Sequence, residues 1–224
     1  SREEEKSVPK LDEFYIDIGA KDRDGAEALV SLGDVAAFDS TAGEFGSGLF
    51  QGKALGSRVG CAVLLTLLKE ELPLDCTFVF AAQEEVGNRG AFGAGFSVTP
   101  EIALVLDGAD TADAPGVPAH KRGCTLGKGV VLPVMDKGSI ADRGLFEELR
   151  ALAERENILW QTSGSIPGRT DAAALQRTKA GVRTAMLSVP VRYHHTPSGL
   201  VSMEGVDGML ALTRAFLSDL AEKE

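Results

Sequence analysis

Two adjacent glutamates, Glu84 and Glu85, follow a short apolar run and precede a glycine-containing turn. The run, residues 77–82, shows no polar alternation, which is typical of a strand buried on both faces. Carboxylates at the end of such a strand lie where α/β sheets bind their ligands. Adjacent glutamates there can divide hydrolytic work, one binding a metal ion and the other moving a proton. Taken alone, the pair is more typical of a solvated helix start, where acidic residues favour the helix dipole.

Three further polar groups stand near the ends of predicted elements: Asp107, the pair Thr170 and Asp171, and the pair His194 and His195. Each has a simpler interpretation. Asp107 and the Thr170 pair could cap helices, and the histidines could be a surface pair. Together, however, carboxylates and neutral imidazoles are ligands that suit zinc, cobalt or manganese.

The elements that must position these side chains alternate between strand and helix after residue 52. Strands are predicted over residues 77–82, 102–106, 129–135, 158–161 and 182–189. Helices are predicted over residues 22–32, 58–72, 144–156, 170–178 and 205–221. This alternation indicates an α/β fold with a mixed central sheet and helices on both faces. Residues 1–51 are richer in turns and short β patterns, so we place a domain boundary between residues 51 and 52.

Composition excludes several classes of protein. The 224 residues carry a formal net charge of -10, which argues against a nucleic-acid surface. No apolar run approaches the length of about 20 residues that a membrane span requires. The three cysteines are an odd number without metal-site spacing, so free thiols and a cytoplasmic location are expected. His120 lies among polar residues and is expected in an exposed loop.

Five ordered blocks resemble the glutamyl and tetrahedral aminopeptidase family of dinuclear metallopeptidases. The most distinctive are Gln83-Glu84-Glu85 and the segment Arg192-Tyr193-His194-His195-Thr196-Pro197; the full set is residues 52–65, 83–91, 126–129, 168–172 and 190–197. The resemblance implies a zinc-peptidase-like catalytic domain over residues 52–224. It also implies that residues 1–51 are a remnant of a small, β-rich inserted dimerisation domain.

The resemblance assigns a role to individual residues. Glu84 matches the general base that deprotonates the metal-bridging water. Glu85 matches a ligand to one metal ion, Asp107 a ligand to the other, and His195 the distal histidine ligand. By the same comparison, Thr170 and Asp171 match a block that lines the substrate pocket.

The implied function is metal-dependent removal of N-terminal residues from peptides. Family members use two divalent ions per subunit, zinc, cobalt or manganese, and build cytoplasmic homo-oligomers from dimers. No nucleic-acid or membrane partner is implied.

Two departures from the family pattern matter. Gly56 stands where the family has its bridging carboxylate, and its neighbour Ser57 is a poor substitute. Without that carboxylate, two divalent cations would repel each other almost unscreened. The family's remaining histidine ligand belongs to a segment upstream of the inserted domain, and this chain is expected to be N-terminally truncated. We therefore expect weak or no hydrolysis by this chain.

Other hypotheses remain open at this point. The chain could be a non-catalytic, peptide-binding or assembly subunit, which Gly56 favours. Alternatively, Gly56 and Ser57 could be an engineered replacement in an active enzyme. A carboxypeptidase or a related deacylase would share the fold, because a fold does not determine the substrate.

Overall fold

The chain divides between Phe38 and Asp39 into two units. The computed structural model describes residues 9–163 and 168–223. In the first unit, a 3-10 helix spans Leu11–Glu13 and helix α1 spans Arg23–Glu27. The Asp22 side chain caps α1 by accepting a hydrogen bond from the Gly25 N–H at 2.8 Å. This helix is shorter than the one predicted over residues 22–32.

The second unit contains a mixed sheet of seven strands among the described residues. They are β1 Gly43–Phe45, β2 Leu49–Gly52, β3 Ile102–Asp110, β4 Val130–Val131, β5 Trp160–Gln161, β6 Arg183–Arg192 and β7 Gly199–Ser202. The central strand, β6, runs parallel to β3 along one edge and antiparallel to β4 and β7 along the other. Strand β2 pairs antiparallel with β1 on one side and with β7 on the other, and β4 and β5 are parallel. The predicted mixed α/β sheet is confirmed.

Strands β1 and β2 come before residue 52 in the chain, yet β2 pairs with β7. The unit that holds the sheet consequently begins at Asp39, ahead of the boundary expected between residues 51 and 52. The origin of residues 1–51 in an inserted domain stays a prediction.

Helices cover both faces of the sheet. Helices α2 Leu55–Leu67, α4 Arg143–Arg155 and α6 Met203–Ala221 share one core with alternate residues of β6, including Leu187 and Val189. The intervening Met186 packs against Ala172 of helix α5, which spans Ala172–Leu175 on the opposite face. Helix α3, Arg89–Val98, packs beside α5. The alternation along β6 sets these two faces, since successive strand residues point in opposite directions.

Helix α2 packs unusually close to β3. Its apolar stripe, which includes Val59 and Val63, is buried. On the same helix Gly60 lies against the Leu106 carbonyl, and a Cβ at that position would collide with it. One turn earlier, Gly56 lies so near Gly108 that a Cβ on Gly108 would be 2.5 Å from the Gly56 Cα. The two glycines bring the N-terminal end of α2 directly onto the strand that carries Asp107.

The prediction of a strand over residues 77–82 is wrong. These residues belong to none of the described strands, and Val79 and Phe80 are 40% and 46% exposed. A groove of about 780 Å³, lined by Phe78 and Leu104 among others, separates this segment from β3. An apolar run forms a strand only where a neighbour satisfies its backbone groups. Here the nearest candidate, β3, pairs with β6 alone among the described strands.

None of the helices within the described ranges is long and apolar enough to cross a membrane.

Candidate active site

A tight turn holds Glu84 at the start of α3. The backbone N–H groups of Gly87 and Asn88 donate to the Glu84 carbonyl at 3.0 and 2.9 Å. Asn88 is buried, has a left-handed backbone (φ 56°) and precedes the first residue of α3. Its Nδ2 donates hydrogen bonds to Oε1 of Glu84 at 3.1 Å and to Oδ1 of Asp171 at 3.2 Å. Sequence reasoning missed Asn88, although asparagine after glycine is a known signal for a left-handed turn.

The buried carboxylate of Asp136 fixes Thr170, the residue before Asp171. One oxygen of Asp136 accepts hydrogen bonds from the Thr170 backbone N–H at 2.9 Å and the Thr170 hydroxyl at 2.8 Å. The other accepts from the N–H groups of Gly138 and Ser139, both at 2.6 Å. Asp171 is the N-cap residue of α5, but its side chain makes no capping hydrogen bond. The alternative that Asp171 serves only as a helix cap is therefore disfavoured, because its carboxylate faces Asn88 instead.

Asp107 lies inside β3, which continues to Asp110, and not at the end of the strand as expected. Its Oδ1 accepts a hydrogen bond from the Gly108 N–H at 2.8 Å. Burial raises the pKa of Asp107 to about 6 despite that bond, and the charges of Asp171 and Glu85 add to the rise. The carboxyl is thus close enough to the other acids to interact with them.

The carboxylates repel one another. Burial, with smaller contributions from the charges of Asp107, Glu85 and Asp171, raises the pKa of Glu84 to about 7, against the lowering effect of the Asn88 hydrogen bond. Burial also raises the pKa of Asp171. Groups whose charged forms are disfavoured in this way gain from a nearby cation.

His195 approaches Glu85, with Nε2 3.6 Å from Oε1, and both side chains are well exposed. The neighbouring ring of His194 stacks on it, with ring centroids 4.0 Å apart. His194 is half-buried, and burial lowers its pKa. His120 lies in an exposed 3-10 helix, Ala119–Lys121, as expected of a loop residue.

Left-handed backbone geometry clusters around these side chains. Gln83, Asn88, Tyr193 and His195 have φ values of 61°, 56°, 56° and 59°. For residues other than glycine this conformation is strained, and such residues gather at functional sites.

Position 56 lies against the imidazole of His194. A Cβ added to Gly56 would collide with Nε2 of His194, so the imidazole fills the space beside this glycine. In residues 9–163 and 168–223, no three His, Cys, Asp or Glu side chains lie close enough together to hold a metal ion. Among the described residues, the expected site residues make two contacts, Glu84 with Asp171 through Asn88 and Glu85 with His195. Asp107 interacts with the other carboxylates through its charge.

Solved structures that resemble this fold include aminopeptidases. An aminopeptidase from the archaeon Desulfurococcus kamchatkensis superimposes with a TM-score of 0.87 at 33% identity, over 94% of this chain and 61% of that one. The TET1 peptidase of Pyrococcus horikoshii, which can assemble into a tetrahedron or a large octahedral shell, gives a TM-score of 0.75 at 27% identity, over 94% of this chain and 66% of that one.

Sequence comparison gives the family. Residues 1–212 match the model of the M42 glutamyl aminopeptidase family. The lysyl aminopeptidase of Pyrococcus furiosus is 31% identical over 213 residues, which are 93% of this chain and 60% of that protein. The chain belongs to the M42 glutamyl aminopeptidase family, a family of hydrolases. It spans 60–64% of the length of three curated relatives that it matches.

Proposed function

We propose that this chain carries the proton-transfer half of a metal-dependent aminopeptidase site, which hydrolyses N-terminal residues from peptides. The observation that supports this most directly is the Asn88 amide, which ties Glu84 to Asp171. It holds Oε1 of Glu84 in one orientation, and Oε2, which has no hydrogen-bond partner among the described residues, can accept a proton. Family membership supplies the reaction class.

Glu84 acts as the general base and then as the acid. Its carboxylate takes a proton from the attacking water and returns it to the departing amine. A carboxyl with a pKa near neutrality can do both at physiological pH, because neither protonation state is strongly favoured.

Thr170 and Asp171 form the substrate wall in this proposal. The Asp171 carboxylate is free of a capping role and offers an anionic partner for the ammonium of a peptide N-terminus. Asp136 fixes that wall through Thr170, and its own carboxylate is fully engaged in hydrogen bonds.

The donor types present suit a divalent cation such as zinc, cobalt or manganese. Glu85, Asp107 and His195 would hold it, two ions per subunit being the expectation from the family resemblance. When bound, the metal would lower the pKa of water and polarise the scissile carbonyl.

We further propose that hydrolysis by this chain is weak or absent. Gly56 offers no carboxylate between two metal positions, and the donors do not form a cluster of three within the described residues. Two uncompensated divalent ions would repel each other strongly at close range.

Hydrolysis of aminoacyl anilides with added zinc or cobalt tests the proposal. We expect slow turnover at most, and whatever turnover occurs should disappear in Glu84→Gln. Glu71→Gln, an exposed glutamate outside the site, is the matched control and should leave turnover unchanged. Turnover that survives in Glu84→Gln would contradict the role of Glu84, and fast turnover in the parent chain would contradict weak activity.

A second candidate is a non-catalytic, peptide-binding or assembly subunit, which the bare position at Gly56 favours. Calorimetric titration with zinc separates the two, because two tightly bound ions per chain would exclude it. We also propose that the chain forms homo-oligomers, since the TET1 peptidase of P. horikoshii is described as assembling into closed shells. Light scattering coupled to size-exclusion chromatography would contradict this by giving the mass of a monomer.

A cytoplasmic location is proposed from the three cysteines, all of which are free. Cell fractionation that recovers the protein outside the cytoplasm would overturn it.

A further inference from the structure

The guanidinium of Arg192 makes a two-point ion pair with the carboxylate of Asp113. Its Nε donates to Oδ1 at 2.9 Å and its Nη2 donates to Oδ2 at 2.6 Å. Arg192 is the last residue of β6, and Asp113 lies three residues beyond Asp110, the last residue of β3. The two paired side chains are 33% and 8% exposed. A planar guanidinium bound at two points fixes direction as well as distance, so the pair joins the ends of two neighbouring strands in one geometry.

Asp113 is itself held in place by Thr111, a buried residue. The Thr111 hydroxyl donates to Oδ1 of Asp113 at 2.7 Å, and the Thr111 backbone N–H donates to the Val191 carbonyl at 3.2 Å. The hydrogen bond from Arg192 is the largest of the effects that hold the pKa of Asp113 below its usual value. Arg192 therefore binds a partner that is both fixed and charged at neutral pH.

The segment that follows Arg192 carries the two imidazoles of the candidate site. Residues 193–198 join β6 to β7. Tyr193 and His195 have left-handed backbone, and the Thr196 hydroxyl donates to the Tyr193 carbonyl at 2.6 Å. Because this connection is short and bonded to itself, the direction in which β6 ends determines where the following rings lie.

Those rings contact residues from two other parts of the chain. Nε2 of His195 lies 3.6 Å from Oε1 of Glu85, and Nε2 of His194 lies against Gly56. We infer that Arg192, through Asp113, is a positioning residue that sets the approach of His195 to Glu85. The inference rests on the proposed aminopeptidase function, in which Glu85 and His195 belong to the site. Displacing a site residue by about 1 Å can lower a rate by about 100-fold, so such a residue matters for the reaction without touching the substrate.

Two NMR contacts report where the rings lie, and neither requires hydrolysis. The α protons of Gly56 lie against the ring of His194, which should shift their resonances. A nuclear Overhauser effect should also join the ring protons of His195 to the side chain of Glu85. We expect Arg192→Met to lose both signals, because the end of β6 is then no longer tied to Asp113.

The first residue of the same strand provides a matched control. Arg183 pairs with Asp142 at 3.2 Å at the opposite end of β6. Arg183→Met therefore removes an ion pair from the same strand and should keep both NMR contacts. Loss of these contacts in Arg183→Met would overturn the inference, since loosening either end of the strand would then be enough.

A conservative variant separates positioning from folding. Arg192→Lys keeps a positive charge beside Asp113, but an ammonium group cannot reproduce the two-point geometry. We expect this variant to keep the melting temperature of the parent and still to weaken both NMR contacts. Contacts as strong as those of the parent in Arg192→Lys overturn the inference, even if Arg192→Met folds poorly.

Turnover of aminoacyl anilides tests the proposed function separately. Turnover that survives in Glu84→Gln would refute that function, whereas parent-like contacts in Arg192→Lys would refute only the role of Arg192. Where the parent turns over, Arg192→Lys should lower kcat more than it raises KM, because the change displaces reacting groups and not the substrate wall. An unchanged kcat in Arg192→Lys would overturn the inference.

Discussion

The side-chain amide of Asn88 donates a hydrogen bond to Oε1 of Glu84, four residues earlier in the chain, at 3.1 Å. The same nitrogen lies 3.2 Å from Oδ1 of Asp171, which is distant in sequence. One buried amide thus fixes the position of the proposed base relative to the proposed substrate-binding carboxylate.

Replacing Asn88 should raise the pKa of Glu84. The hydrogen bond from Asn88 lowers this pKa, so Asn88→Ala should move it above its present value of about 7. Carbon-13 NMR titration of the glutamate carboxyl groups measures the shift. Asn157→Ala, which alters another asparagine with left-handed backbone, is the control. An unchanged pKa of Glu84 in Asn88→Ala would show that the hydrogen bond does not form in solution.

Asp107 should make the stability of the metal-free protein depend on pH. Its folded pKa of about 6 is above the usual 3.8, so the folded protein binds more protons than the unfolded chain between these values. Stability is therefore full below the lower value and is lost as the pH rises through 6. Asp107→Asn removes the loss and should be more stable than the parent at pH 8 by about 2 kcal/mol, after allowing for solvent screening.

Urea denaturation at about pH 4 and pH 8, with a chelator present, measures this difference, which should nearly vanish at the acid value because the carboxyl is then largely protonated. Asp207→Asn, on the exposed side of α6, is the control and should change little at either pH. Equal stabilities of Asp107→Asn and the parent at pH 8 would contradict a raised pKa for Asp107.

Asp136 should be a strong determinant of stability. Its carboxylate accepts four hydrogen bonds, two of them from Thr170, and it is 3% exposed. Asp136→Ala leaves those donors buried without a partner, which should cost about 3 kcal/mol of unfolding free energy. Hydrogen exchange should also become faster at the Thr170 amide. Thr184→Val, which removes a buried hydroxyl outside this network, provides the comparison and should leave that amide protected.

Gly60 should not tolerate alanine. A Cβ there would collide with the Leu106 carbonyl, which would push α2 away from β3 and cost about 1–3 kcal/mol. Gly93→Ala is a matched control, because Gly93 also lies within a helix but has no atom within 4 Å of an added Cβ. That control should stabilise α3 by about 0.5–1 kcal/mol. Thermal unfolding of both variants tests this prediction. A change of the same sign in the melting temperature of each variant would contradict the close packing of α2 on β3.

Part of the fold could be predicted because its signals are local. Strand β3, strand β6 and helix α4 follow from unbroken apolar runs or a helical stripe, and the structure contains all three. Helix α3 was missed because Gly90, Gly93 and Gly95 lower its helix propensity, and its packing against α5 outweighs that cost.

The prediction of a strand over residues 77–82 was wrong because local composition favoured a strand that tertiary pairing does not support. Its apolar composition is that of a buried strand, but pairing depends on a neighbour that local sequence does not specify. The candidate site shows the same limit. Glu84 and Glu85 are visible in the sequence as a pair, whereas the link through Asn88 to Asp171 and the contact of Gly56 with His194 join residues far apart in the chain.

The left-handed residues around the site have a consequence for how this protein can change. Glycine at Gln83 would adopt the same φ without strain, so Gln83→Gly should make the protein more stable, and the same holds for Tyr193. Selection for stability alone would favour glycine at both positions. The side chains at these two positions lower the stability of the protein through backbone strain. Their presence indicates that the rim of the site is a region where function and stability favour different residues.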